Sequence, residues 1–568
     1  MTNYQFTGGT ICAPATIPGT GAISIIRVSG KESLAIADKV IDTKGVPIAE
    51  TEGYRLRYGT VFEADGSVLD NVIVSVFCAP HSYTGENSVE ISCHASRFIV
   101  NKILELLVNA GARIAAPGEF TRRAFVNGKM DLAQAEAVAD VIASQSAASH
   151  RVAMNQLKGG FSSELKVLRE KLLTMTSLLE LELDFSEEDV EFASRNELGQ
   201  LVDDSLTHIG RLTASFSRGN AIKKGVPVAI VGATNTGKST LLNALLGEER
   251  AIVSDIAGTT RDTIEETLNI DDILFRFIDT AGIRETDETI EKIGIDRTFK
   301  KLGEAAVVLG MTDLSRGEAA VLEDADFILS KVNEMGGVKN VGLVSDGAET
   351  GGASPAGTDG APLAGTDGAS LVETGGAPLA ETGGAPLVET GVASQHGHGA
   401  GQERKVVILV NKCDVAGDFY RNDNGKGYGS GNDLGENMAE IGGNKNVNRD
   451  NNIVSLIENK YDNCKVIPIS AKTGKGLSTL TKTLGEIGSE ITGSTDETLV
   501  TNVRHYEALV RAASALERVR AGLDIATLPP DLIAQDLREA LYHLGEIVGE
   551  ITTDETLGNI FRNFCIGK

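Results

Sequence analysis

The 568-residue chain has no tryptophan, and aromatic residues make up only 5% of it. No apolar run approaches the roughly 20 residues needed to span a bilayer. No signal peptide is visible, and the opening Met1-Thr2-Asn3-Tyr4-Gln5 lacks an Arg-rich transit pattern. A soluble, cytoplasmic chain without membrane association is expected. Six cysteines (Cys12, Cys78, Cys93, Cys413, Cys464 and Cys565) are scattered without Cys-x-x-Cys spacing, which excludes a zinc knuckle and a disulfide framework and leaves reduced thiols as the default. Positive charge is scarce: 53 Lys and Arg face 79 Asp and Glu, for a net charge of −26. Phosphate attraction supplies most non-specific affinity for nucleic acid, so any such contact must be local.

Part of the acidity belongs to one segment. Residues 338–403 carry Lys339 against eight acids, and units such as Gly-Ala-Pro-Leu-Ala-Glu-Thr-Gly recur every eight residues from Gly352 to Gly391. So short and glycine-rich a repeat buries no core, so a disordered insertion is expected, with a β-solenoid as the alternative. A second Gly/Asn/Asp-rich insertion spans 417–452. Loop-closure entropy grows slowly with length, so loops tolerate both.

Four polar motifs each follow an apolar, strand-like run. After Val228-Ala229-Ile230-Val231, the stretch from Gly232 to Ser239 spells Gly-Ala-Thr-Asn-Thr-Gly-Lys-Ser, a phosphate-binding loop. Its glycines let backbone N–H groups wrap a triphosphate, Lys238 reaches the β and γ phosphates, and the Ser239 hydroxyl holds Mg²⁺ at the mouth of a helix. Asn235, Thr236, Gly237, Lys238, Ser239 and Thr240 are the expected contacts. Asp279-Thr280-Ala281-Gly282 follows Ile273 to Ile278, placing a carboxylate near Mg²⁺ and a glycine amide near the γ-phosphate. Asn411-Lys412-Cys413-Asp414 follows Val406 to Val410, and Asp414 accepts from the guanine N1–H and exocyclic amine, a pair of donors that adenine lacks. Ser470-Ala471-Lys472 then offers backbone groups to the base carbonyl. This order is that of a guanine nucleotide-binding domain.

Between the first two motifs, Ser254, Asp255, Ile256 and Ala257 lead into Gly258-Thr259-Thr260-Arg261-Asp262, a candidate switch whose Thr260 hydroxyl completes the Mg²⁺ shell when a γ-phosphate is present. Ras-type GTPases carry a water-orienting glutamine after Asp-x-x-Gly, but here that position is Ile283. Asn235 resembles the asparagine with which some GTPases bind K⁺, whose charge does the work of an arginine finger. Potassium dependence is therefore expected, with Asn235, Ser254, Ile256 and Thr259 as ligands. Glu291 is the candidate that acts on the attacking water, beside Lys238 and Asn235 as catalytic residues; in isolation it reads as a solvent-facing helix residue.

Flanking this domain are two helical stretches. Leu157, Phe161, Leu165, Leu168, Leu172, Met175 and Leu179 recur at helical spacing within the first, about 132–217, and Leu509, Ala512, Leu516 and Val519 within the second, which starts near Asn502. The two are expected to pack together around an inserted nucleotide domain, with a coiled-coil dimer as the alternative for the first. Residues up to about Asn127 mix strand-like runs with a helix around Arg97 to Val108, as a small α/β domain does. The expected class is multidomain α/β: an amino-terminal α/β domain (1–127), a helical domain (128–220 plus 497–568) and an inserted P-loop GTPase domain of the Ras-like doubly wound type (221–496).

Thr10 to Thr16, Tyr83-Thr84-Gly85-Glu86, Pro117 to Phe125, Asp131-Leu132-Ala133-Gln134-Ala135-Glu136 and the terminal Phe564-Cys565-Ile566-Gly567-Lys568 closely resemble the tRNA modification GTPases called MnmE or TrmE. The resemblance covers all but the two insertions. It implies a homodimer that works with a flavoprotein partner, MnmG or GidA, which would carry FAD, to attach an aminomethyl-type group to C5 of the wobble uridine in tRNA. It further implies a tetrahydrofolate one-carbon donor held by Arg27, Glu90, Lys129 and the Lys568 region. Cys565 is a candidate nucleophile and otherwise a small apolar residue packed at a docked terminus. Thr20 and Thr234 depart from the family's usual arginine and proline. Two other readings are a ribosome-assembly GTPase of the Era or EngA type, which should carry a basic RNA-binding appendage, and a regulatory GTP switch insensitive to K⁺.

Overall fold

The computed structural model describes residues 8–184, 194–249, 266–278, 305–334, 404–414, 453–461, 464–493, 497–525, 529–562, 564 and 567. Both insertions, 338–403 and 417–452, lie outside the described residues. The chain divides into two compact units: Met1–Val228, Leu242–Ala281 and Leu477–Lys568 form one, Ala229–Leu241 and Gly282–Gly476 the other.

In the first unit, strands β1 (Ile11–Pro14), β2 (Ile23–Ser29), β3 (Ile41–Asp42), β4 (Arg55–Phe62), β5 (Val68–Phe77), β6 (Ser88–His94) and β7 (Arg113–Ile114) build a sheet in the order β3-β4-β5-β6-β2-β1-β7. Every pairing is antiparallel except β1 with β7. Side chains alternate across a strand, so Val72, Val74 and Val76 of β5 are buried while Ile73 between them is exposed. Helices Ser33–Val40 and Arg97–Asn109 cover the buried face, where Ile36, Ala37, Ile103 and Leu107 join Ile26, Val28, Val89 and Ile91 in one core. On the opposite face Leu56 and Tyr58 of β4 and Ile73 of β5 face solvent, with Tyr58 directly across from Ile73.

The same unit holds the helices Leu132–Ala143, Ala147–Leu157, Gly160–Asp184, Arg195–Lys224, Val503–Leu523, Pro530–Val548 and Asp554–Arg562. The first stretch is therefore several helices rather than one. Gly159, in the left-handed region at φ +84, ends one of them as a glycine just past a helix terminus does. Phe161, Leu165, Leu168, Leu172 and Leu179 pack with Leu509, Ala512, Leu516, Val519, Leu537 and Leu544 in one core, so the two stretches bury their apolar faces against each other. Each fully buried leucine is worth about 1.5–3 kcal/mol over leaving it exposed. Among the described residues no helix is long and apolar enough to cross a membrane.

An ionic cluster joins the two stretches. Glu136 pairs with His505 at 2.6 Å and accepts from Arg504 Nε and Nη2 at 2.9 and 3.0 Å, while Arg504 also donates to the carbonyls of Glu546 and Ile547. His505 is 1% exposed and stacks on Phe161. Burial alone would raise the Glu136 carboxyl, but His505 and Arg504 outweigh it and hold the group at about 2. Burial pushes His505 down, favouring the neutral ring. Nearby, the chain leaves the helical bundle and returns to it at touching points: Val500 N–H donates to Ser215 Oγ at 3.0 Å, and a Cβ on Gly219 would collide with the Val500 carbonyl.

Because Glu136 has a lower pKa in the folded chain than its ordinary 4.5, protonating it favours the unfolded chain. Its contribution is complete above pH 4.5 and lost as the pH falls toward 2. Glu136→Gln takes the charge partner from a half-buried Arg504, which keeps the Glu546 and Ile547 carbonyls, and is expected to cost about 1–3 kcal/mol, read from denaturant midpoints. It should also flatten the acid limb of stability against pH; a variant as stable as the parent, with the same acid limb, rejects this.

Candidate nucleotide site and amino-terminal cluster

Strands β11 (Val307–Asp313), β12 (Lys405–Asn411) and β13 (Lys465–Pro468) lie parallel, side by side, in the order β13-β12-β11 followed by β8 (Val226–Gly232). Ligands of open α/β sheets bind at the carboxyl ends of such strands; Asp313 and Asn411 are the last residues of β11 and β12, and the phosphate loop and Ser470 come just after β8 and β13. β11 and β12 are fully buried from Val307 and Val406 onward, respectively, which is why they read as unbroken apolar runs.

The loop from Gly232 to Gly237 is shaped by packing as well as by glycine freedom. Gly237 sits at φ +100, and a Cβ there would come within 2.5 Å of the Asn411 amide. Asn235 adopts φ +61 and is exposed, while Thr236 is buried and donates its hydroxyl to the Ala233 carbonyl at 2.9 Å. Lys238 opens the helix Lys238–Glu249, its Nζ donating to the carbonyls of Gly232 and Ala233 at 2.9 and 2.8 Å. Burial pushes that ammonium below the usual lysine range, and a polyphosphate beside it would oppose that shift. Ser239 stands half-buried and Thr240 exposed on the first turn.

Asn411 has a role that motif reading missed. Its Nδ2 donates to the Thr236 carbonyl at 2.7 Å and its Oδ1 accepts from the Ala471 N–H at 3.0 Å. One buried amide thus ties the phosphate loop to the Ser470-Ala471-Lys472 turn, and the Ala471 N–H expected to face the base is committed to Asn411. Ser470 is buried within that turn, Lys472 exposed. Lys412, at φ +63, forms an ion pair with Asp313 at 2.6 Å. Burial alone would raise the Asp313 carboxyl, but hydrogen bonds from Lys412 and Ser315 bring it below the ordinary aspartate range. Asp414 is exposed.

Ser254, Asp255, Ile256, Ala257, Gly258, Thr259, Thr260, Asp279, Thr280, Ala281, Gly282, Glu291, Cys565 and Lys568 lie outside the described residues.

A second cluster lies in the amino-terminal sheet. Arg27 and Glu90 are register partners on β2 and β6, and Arg27 donates to Glu90 Oε1 through Nε and Nη2 at 2.9 and 2.8 Å. The guanidinium lies 5.1 Å from the Tyr83 ring centre and 5.7 Å from that of Phe120, a cation–π arrangement. Lys129 is exposed, donates to the Pro80 carbonyl at 3.0 Å and packs against Gly85 of the Tyr83–Glu86 loop. Gly567 presses on the Pro14 carbonyl, one residue from Ala13, the register partner of Arg27. The other motif residues hold this cluster together: Arg123 pairs with Glu119 and Glu86, Ser29 donates to Glu86, and the hydroxyls of Tyr83 and Thr121 share a hydrogen bond. Nothing in the sequence of these motifs marks them as one charge network.

A family model described as "MnmE helical domain" matches residues 132–565, and one described as "GTP-binding protein TrmE N-terminus" matches residues 10–129. The chain is 43% identical over 562 residues to the tRNA modification GTPase MnmE of Parabacteroides distasonis, covering 98% of this chain and 100% of that protein. It is 41% identical over 570 residues to that of Porphyromonas gingivalis, covering 100% and 99%. A solved GTP-binding protein of Sulfolobus solfataricus in complex with GDP superposes with a TM-score of 0.25 at 13% identity over 69% of this chain and 77% of the other, which is too low to bear on the fold. On the full-length identities and the two family models, the chain belongs to the MnmE family of tRNA modification GTPases.

Proposed function

We propose that this GTPase is stimulated by K⁺ and works in the cytoplasm as a homodimer with a flavoprotein of the MnmG type. Together they add an aminomethyl-type group to C5 of the tRNA wobble uridine from a tetrahydrofolate one-carbon unit. The observation that carries the nucleotide half is the exposed, left-handed Asn235 beside a phosphate loop pinned by Asn411. A side-chain amide oxygen there suits a monovalent cation, whose charge would offset the negative charge that builds up as the γ-phosphate leaves. In this reading Ser239 would hold Mg²⁺ at the helix mouth, and Lys238 the β and γ phosphates.

Support for the folate site comes from the Arg27–Glu90 pair flanked by Tyr83 and Phe120. A flat heterocycle with amide-type donors and a carboxylate tail matches rings, a carboxylate and a guanidinium. A tetrahydrofolate bound there would supply the one-carbon unit. The solvent-facing Leu56, Tyr58 and Ile73 favour a second copy as the cover for that sheet face.

Three measurements test this. Wild-type GTP turnover should be faster in KCl than in NaCl, and Asn235→Ala should lower the K⁺-stimulated rate about 10²-fold while leaving the NaCl rate nearly unchanged; cation-independent wild-type turnover rejects the metal assignment. Asp414→Asn turns an N–H toward the guanine donors and should cost about 2–3 kcal/mol of GTP binding, roughly 30–150-fold in Kd; titration with a fluorescent GTP analogue that finds equal affinity removes Asp414 from base recognition. Nucleoside analysis of tRNA from cells lacking the chain should show loss of C5-modified wobble uridine, and unaltered wobble uridines overturn the tRNA reading.

A further inference from the structure

The helix Ala147–Leu157 and strand β9 (Glu266–Ile270) border a cavity of about 940 Å³, all of its lining within the first compact unit. Arg151, Asn155 and Lys158 line it at spacings of four and three, one face of a helix, with His150, Gln145 and Asn269 beside them. In a chain with 79 acidic residues, no acid occurs from Val141 to Ser163. Both acids that bound this stretch are already engaged: Asp140 pairs with Lys223 at 2.8 Å and Glu164 with Arg211 at 3.1 Å. The cavity wall is thus a local cationic surface on an acidic protein. It also holds an unmatched acceptor. Asn269 Nδ2 donates to the Gln145 carbonyl at 3.3 Å, which leaves its buried Oδ1 with no hydrogen-bond partner. Such a group calls for a donor.

We infer that this cavity is the RNA-backbone cradle of the chain, with Arg151 and Lys158 facing phosphates and Asn269 accepting from a ribose 2′-hydroxyl. The inference rests on the tRNA reading above and names the surface that reading needs. Against a chain-wide net charge of −26, an acid-free wall carrying Arg151 and Lys158 lowers the local cost of contact with a polyanion. The 2′-hydroxyl supplies the donor that a bare phosphate lacks.

The test uses the full-length chain carrying Arg151→Glu and Lys158→Glu together, with the double glutamine variant as a milder second and melting temperature as the folding control. Filter binding of unmodified tRNA is followed between about 50 and 200 mM KCl. The glutamate pair should raise Kd at least about 10-fold and the glutamine pair less, and both should lower the slope of log affinity against log salt by about 1.5–2, the share of two phosphate contacts. Folded variants that keep the parent affinity and slope overturn the cradle while leaving the tRNA reading intact. A parent chain that binds no tRNA overturns both.

Discussion

A chain that hosts one domain inside another must leave and re-enter its host at neighbouring points, and here a single buried carboxylate secures that closure. Glu136 comes from the first helical stretch and Arg504 and His505 from the last, with more than 360 residues between them. Their pairing costs desolvation on both sides, and such an ion cluster is weak evidence of net stability. Its value is geometric. Arg504 reaches on to two backbone carbonyls of a third helix, so one register of the bundle pairs this cluster and slipped registers strand a charge. The apolar seam from Phe161 to Leu179 supplies attraction, but leucine against leucine is far less particular about alignment.

The nucleotide site follows the same logic on a smaller scale. Motif reading treats the phosphate loop and the two base-end motifs as separate ligand contacts. Asn411 shows them to be one object, because its amide spans from Thr236 to Ala471. The Gly232–Gly237 loop and the Ser470–Lys472 turn are thus joined through two hydrogen bonds to one side chain. The amino-terminal motifs behave likewise: Glu119, Arg123 and Glu86 hold the loop carrying Tyr83, and Tyr83 in turn lies against Arg27.

Much of this was legible in the residues. The helical repeat of Leu165, Leu168 and Leu172 and the alternation around Val72, Val74 and Val76 report local geometry directly, because burial imposes the period of the backbone on the side chains. The phosphate loop could be read because its chemistry needs its residue types at fixed spacing. Partnerships were not legible. Nothing local to Glu136 points to His505, and nothing in Asn411-Lys412-Cys413-Asp414 says that the asparagine bonds protein while Lys412 pairs with Asp313. Such pairings depend on the tertiary fold, and short-range patterns carry no trace of them. The break at Gly159 was similarly hidden, since an apolar period runs on across it.

The contact at Gly219 has a wider meaning. The outgoing helix and the returning segment at Val500 touch there, with no room even for a methyl group. A gate that narrow transmits nothing about the size of what lies beyond it, so the bundle perceives only two chain ends held side by side. A change of length between Gly219 and Val500 that keeps those two points together therefore leaves the packing of the bundle at this contact unaltered.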